Sequence, residues 1–208
     1  MAAKLAVFLS GGGTTLQNII DHIERGQLDA QISCVISSRA GAYGLERAKK
    51  HGIPAIAIPR KAYSDNGSFN AAIWEEVRKY HVDLVVLAGF MSLLEIPKEY
   101  IGRILNIHPA LLPSFGGKGM YGHHVHEAVL AYGAKVTGAT VHFVDTEYDH
   151  GPVVLQGAVP VRDDDTPESL TERVQAKERE LYVQAIQLFA EGRLRLEGRR
   201  VRVLEDAP

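Results

Sequence analysis

Short apolar runs separated by turn-rich segments recur along the chain. Lys4 to Leu9, Ile32 to Ile36, Ala55 to Ile58 and Leu84-Val85-Val86-Leu87-Ala88 are each too short for a helix and apolar enough to be strands covered on both faces. Between them, Leu16, Ile19, Ile20 and Ile23 mark one face of a helix, and Tyr43 to His51 and Ser68 to Tyr80 predict two more. Strand alternating with helix predicts an α/β fold with a doubly wound, mostly parallel sheet. Arg39 to Gly44 and Arg60 to Gly67 are expected as surface loops, with Gly41, Asp65, Asn66 and Gly67 as turn formers.

The second half begins with Arg103 to Ile107, a short buried strand stopped by Pro109, which cannot donate to a sheet ladder. Residues 114–126 predict a flexible loop leading into a helix through Tyr132, and Val136 to Val144 and Val153 to Val159 predict paired strands. Thr166-Pro167-Glu168 starts a long helix, with Leu170, Val174, Leu181, Ile186 and Leu188 facing the core and Gly192 ending it. Arg193 to Leu204 reads as a short terminal hairpin turning at Glu197-Gly198. At 208 residues the chain is expected to be a single domain, 1–208, made of halves 1–100 and 101–208.

Composition changes this picture little, but it excludes some partners. A net charge of −2 gives no general attraction toward nucleic acid or an anionic membrane, so small-molecule partners are expected. No apolar run approaches the roughly 20 residues of a membrane span. The single cysteine, Cys34, sits in an apolar strand, where packing is its expected job; it allows no intramolecular disulfide and fits a reducing, cytoplasmic setting. Monomer and homodimer both stay open.

Candidate chemistry begins after the first strand, at Ser10-Gly11-Gly12-Gly13-Thr14-Thr15. Strand, glycine loop and helix form a phosphate-binding layout, because glycines admit an anion close to the backbone and N–H groups at a helix start attract negative charge. No Lys follows Gly13, so the pattern argues against a triphosphate-hydrolysing loop. A dinucleotide fingerprint needs glycine where Leu16 stands and an acid where Ser37-Ser38-Arg39 stands; Arg39 leaves only a 2′-phosphorylated dinucleotide as an alternative.

Asn106 and His108 share a face of the Arg103 to Ile107 strand at its carboxyl end, where open parallel sheets bind ligands. Asn offers a neutral donor to a developing oxyanion and His a proton near neutral pH, a pairing suited to acyl-type transfer. Gly89-Phe90-Met91-Ser92-Leu93-Leu94 is an apolar loop suited to a flat, partly apolar ligand. His123, His124 and His126 lack a carboxylate or Cys at ligand spacing, so no metal is expected, while Lys118 could add a cation near a phosphate. A strand carrying His142 leads into a loop with two candidate carboxylate partners for His108, Asp145 and Asp149.

Asn106-Ile107-His108-Pro109-Ala110-Leu111-Leu112-Pro113-Ser114-Phe115 resembles the signature of the folate-dependent formyltransferases, and most of the chain follows the same pattern. The resemblance implies a Rossmann-like formyltransferase fold, with a phosphate-binding first half and a catalytic and folate-binding second half. It places Asn106, His108 and Asp149 in the catalytic centre, choosing Asp149 because the aspartate follows the strand histidine by seven residues in H-x-V-x-x-x-x-D-x-G-P. Gly13, Thr14 and Thr15 fall on positions that hold a substrate phosphate, and Gln175 and Glu178 on positions that contact ribonucleotide. Met91, Ser92, Leu93, Leu94 and Asn106 match the pterin-binding elements, with Ser92 standing where the family commonly has Arg. The implied reaction moves a formyl group from 10-formyltetrahydrofolate, without a metal, to the amine of glycinamide ribonucleotide in purine synthesis. A transfer-RNA acceptor would call for an added domain and a basic surface, for which the chain has neither room nor charge.

Overall fold

A computed structural model describes residues 2–205, and the chain divides between Leu105 and Asn106 into two compact units. The first opens with strand β1 (Ala3–Leu9), whose Leu5 to Leu9 have no solvent exposure, as a strand covered on both faces requires. Helix α1 (Thr14–Glu24) follows with Leu16, Ile19 and Ile20 buried, then β2 (Ala30–Ser37), α2 (Tyr43–Lys50), β3 (Ala55–Ala57), α3 (Asn66–Arg78), β4 (Leu84–Leu87) and β5 (Ile104–His108). Strands lie in the order β3-β2-β1-β4, with β5 beyond β4, and β1 pairs in parallel with both β2 and β4. The strand order reverses between β1 and β4, so their carboxyl ends form the crevice where such sheets take ligands.

The start of α3 differs from the sequence expectation. The Asp65 carboxylate accepts the Ser68 N–H at 2.7 Å and caps α3 two residues early, which draws Asn66 and Gly67 out of the expected turn and into the helix. Tyr43 and Gly44, shared by the expected loop and the expected helix, lie in the first turn of α2, where Gly44 packs directly on the Leu9 side chain.

In the second unit, β5 leads through a loop to α4 (His123–Tyr132), so His123, His124 and His126 are helical rather than part of the expected loop. Strands β6 (Val136–Phe143) and β7 (Val153–Pro160) pair antiparallel, in the order β5-β6-β7, with a register shift at Val141/His142. Helix α5 (Pro167–Ala190) starts from a capping box between Thr166 and Ser169 and buries Leu170, Val174, Leu181, Tyr182 and Ile186 against β6 and β7. The terminal hairpin, β8 (Leu194–Glu197) and β9 (Arg200–Val203), is antiparallel and packs beside β7. Among the described residues no helix is long and apolar enough to cross a membrane.

Candidate active site

Thr140, in the middle of β6, fixes the segment that follows His108. Its hydroxyl donates to the Ala110 carbonyl at 2.7 Å and accepts from the Leu112 N–H at 3.0 Å, while Gln156 from β7 donates to both Leu112 O and Thr140 Oγ1. Pro109 to Pro113 is thereby held to a buried sheet rather than left as a free loop. Such anchoring matters because catalytic groups need a rigid support.

His108 is 3% exposed, and its Nε2–H donates to the Phe115 carbonyl at 2.8 Å. A carbonyl can only accept, so Nδ1 is the nitrogen left to gain or lose a proton. Asp149 Oδ2 lies 3.4 Å from that Nδ1 and accepts the Gly117 N–H at 3.0 Å. Asp145, the rival carboxylate, is occupied within its own turn, where it accepts from Glu147 N at 2.9 Å and faces His150 Nδ1 at 2.7 Å.

His142 joins the group as a member in its own right, where the sequence marks it only as the residue that leads to Asp149. Its Nδ1–H donates to the Phe143 carbonyl at 2.9 Å, which leaves Nε2 to accept from Asn106 Nδ2 at 3.1 Å. That bond orients the amide and leaves its second N–H unspent. His142 Nε2 is also 3.8 Å from Asp149 Oδ1, too long for a hydrogen bond. Period-two alternation along β6 could have flagged His142, since it sits on a buried strand at the mouth of the carboxylate loop.

Burial pushes the His108 pKa below the ordinary histidine value, against the opposing pull of Asp149 and the Phe115 carbonyl. Burial also favours a neutral Asp149, but the approach of His142, the His108 charge and the Gly117 N–H outweigh it and hold the carboxyl below its usual range. The pair therefore couples an ionised carboxylate to an imidazole that gives up its proton readily. Asp149 has φ of +54°, sparsely populated for a residue with a side chain. Strain of this kind persists only where neighbours over-determine it.

The remaining candidates fall into place unit by unit. In the first, Gly13 caps α1 with φ of +72°, and no side chain caps that helix start, so Thr14 and Thr15 present their amides at an open N-terminus. Thr14 is exposed and Thr15 half-buried. Arg47 of α2 secures the loop from behind, donating to Gly12 O at 2.9 Å and Gln17 Oε1 at 3.1 Å.

Across the crevice between β1 and β4, Ser10 Oγ accepts the Met91 N–H at 2.9 Å and Ser10 N donates to Gly89 O at 3.0 Å. Buried Asn70 donates to Leu93 O and accepts from Glu95 N, which pins the loop of Met91 to Leu94 at its far end. Met91 is 46% and Leu93 37% exposed, Ser92 is half-buried and Leu94 is buried at 5%. A pinned backbone with two apolar side chains turned outward fits a flat, partly apolar ring.

In the second unit, Gln175 is exposed on α5 and Glu178, three residues on, is half-buried with its carboxyl pushed up to about 7 by burial. Lys118, His123 and His124 are exposed, whereas His126 is buried with Nδ1 lacking a hydrogen-bond partner among the described residues. Among the described residues no group of three His, Cys, Asp or Glu is placed to hold a metal. Cys34 is buried, and burial pushes its thiol up to about 12, in keeping with a packing role.

An amide, two histidines and a carboxylate gathered around one strand end, on an α/β fold with an open phosphate-type loop, define a group-transfer enzyme. The chain belongs to the formyl transferase family, whose model matches residues 3–186. It is similar to the crystal structure of glycinamide ribonucleotide transformylase 1 from Symbiobacterium toebii, with a TM-score of 0.91 and 47% identity over 98% of this chain and 94% of that one. A phosphoribosylglycinamide formyltransferase from Haemophilus influenzae is 43% identical over 93% of this chain and 90% of its own length. The chloroplastic phosphoribosylglycinamide formyltransferase of Arabidopsis thaliana is 42% identical over 92% of this chain, which spans 67% of that relative. Family membership replaces the dinucleotide alternative that Arg39 left open.

Proposed function

We propose that the protein is a phosphoribosylglycinamide formyltransferase, carrying a formyl group from 10-formyltetrahydrofolate to the amine of glycinamide ribonucleotide. The convergence of half-buried Asn106, buried His108 and half-buried Asp149 at one strand end is the observation that carries this reading. Similarity to relatives bearing that name supports the choice of acceptor.

The acceptor amine attacks the formyl carbon, a C–N bond forms and the carbonyl electrons move onto oxygen. The free N–H of Asn106 and a proton on His108 Nδ1 stabilise that oxyanion. Asp149, kept ionised, balances the imidazolium charge and, directly or through a water, takes the proton the amine must lose. The oxyanion's electrons then remake the formyl carbonyl as the bond to the folate nitrogen breaks, and that nitrogen takes up the proton lost by the amine, passed on from Asp149 through His108 Nδ1. Gly13, Thr14 and Thr15 hold the acceptor phosphate, Gln175 and Glu178 contact the ribonucleotide, and the backbone of Met91 to Leu94 receives the pterin ring.

Following formyl loss from the folate with glycinamide ribonucleotide, an unphosphorylated glycinamide analogue or water as acceptor tests the proposal. Rapid loss only with the ribonucleotide is expected. Equal loss with water alone would make the enzyme a hydrolase and refute the acceptor assignment.

A further inference from the structure

The loop between β6 and β7 carries Asp149, and its conformation is closed from several directions. At its base, Phe143 N donates to Pro152 O at 2.9 Å, and Gly151 lies so close to the Phe143 carbonyl that no Cβ would fit. Within the loop, Asp145 ties Glu147 to His150. The residue immediately after Asp149 is gripped from outside: Arg199, at the turn of the terminal hairpin, donates Nη2 to the His150 carbonyl at 2.6 Å. A second guanidinium nitrogen lies 3.5 Å from His150 Nδ1.

We propose that the terminal hairpin positions the Asp149 carboxylate, with Arg199 as the positioning residue; this rests on the catalytic reading of Asp149. A charge-assisted bond to the His150 carbonyl fixes the His150–Gly151 peptide plane, one residue beyond the Asp149–His150 peptide, and so restricts how far the backbone that aims the carboxylate can relax. The hairpin is itself anchored, since Arg193 Nε donates to Leu204 O at 2.7 Å and Arg193 N to Leu188 O of α5 at 2.9 Å. The strained φ of +54° at Asp149 supplies the reason such a clamp is needed. Without it, the loop relaxes and Oδ2 leaves its 3.4 Å approach to His108 Nδ1 and its 3.0 Å bond from Gly117 N.

Arg199→Ala, Arg199→Lys and Arg200→Ala, the last an exposed neighbour in β9, separate positioning from structure. Turnover in Arg199→Ala is expected to fall about 10- to 100-fold, the scale set by sub-ångström to ångström misplacement of a catalytic group. KM for both substrates and the melting temperature should hold, Arg199→Lys should recover part of the rate, and Arg200→Ala should match the parent. The ring-nitrogen resonances of His108 should move in Arg199→Ala alone. Unchanged turnover with unmoved His108 resonances would overturn the inference, as would a rate loss that merely follows a lowered melting temperature. An inactive parent enzyme would sink formyl transfer instead, while the His108 resonances would still decide the clamp.

Discussion

The two ring nitrogens of His108 face different partners, and that division sets what the residue does. Phe115 fixes Nε2 as a donor, so every proton that enters or leaves the ring does so at Nδ1, beside Asp149. His142 does the same one layer back, spending Nδ1 on a carbonyl so that Nε2 can orient the Asn106 amide. Glu178 gives a test of electrostatics at this scale. Its carboxyl is raised from the ordinary 4.5 to about 7, so the stability it contributes is complete below the unfolded value and is lost as pH rises through the folded one. Glu178→Gln should therefore gain melting temperature relative to the parent as pH goes from about 5 to about 8. An identical difference at both pH values would contradict the burial argument.

Elements place these residues through close backbone approaches. A Cβ on Gly13 would meet the Cα of Gly44 at 2.6 Å while φ is +72°, so α1 and α2 meet at two glycines and the glycine loop, proposed to hold the phosphate, has one shape. Gly13→Ala should cost about 1–3 kcal/mol of stability and raise KM for the phosphorylated acceptor far more than KM for the folate. Equal effects on both substrates would argue that the loop is only a turn. The strands, α1, α5 and the terminal hairpin were legible from period and caps, because their core faces are continuous in sequence. The start of α3 was not, since Asp65 read equally well as a turn former and only its bond to Ser68 makes it a cap. The pairings made by His142, Asn70 and Ser10 were hidden for a related reason: each acts through a partner 23 or more residues away, and local pattern does not name that partner. Choosing between Asp145 and Asp149 likewise needed family resemblance; in the structure Asp145 is spent within its turn while Asp149 turns to His108.

At the scale of the molecule, the first unit supplies an open glycine loop and a pinned apolar loop, and the second supplies the histidine–carboxylate cluster proposed to move protons. Each unit keeps its chemistry on backbone held by buried contacts, the form in which preorganised donors stabilise a developing charge. The central claim is that Asn106 is such a donor, and the rate of a single round of formyl transfer by Asn106→Ala tests it most directly. A fall of about 10²–10³ with the melting temperature nearly unchanged is predicted. A rate equal to the parent's, or a loss no larger than the drop in folded protein, would contradict the account.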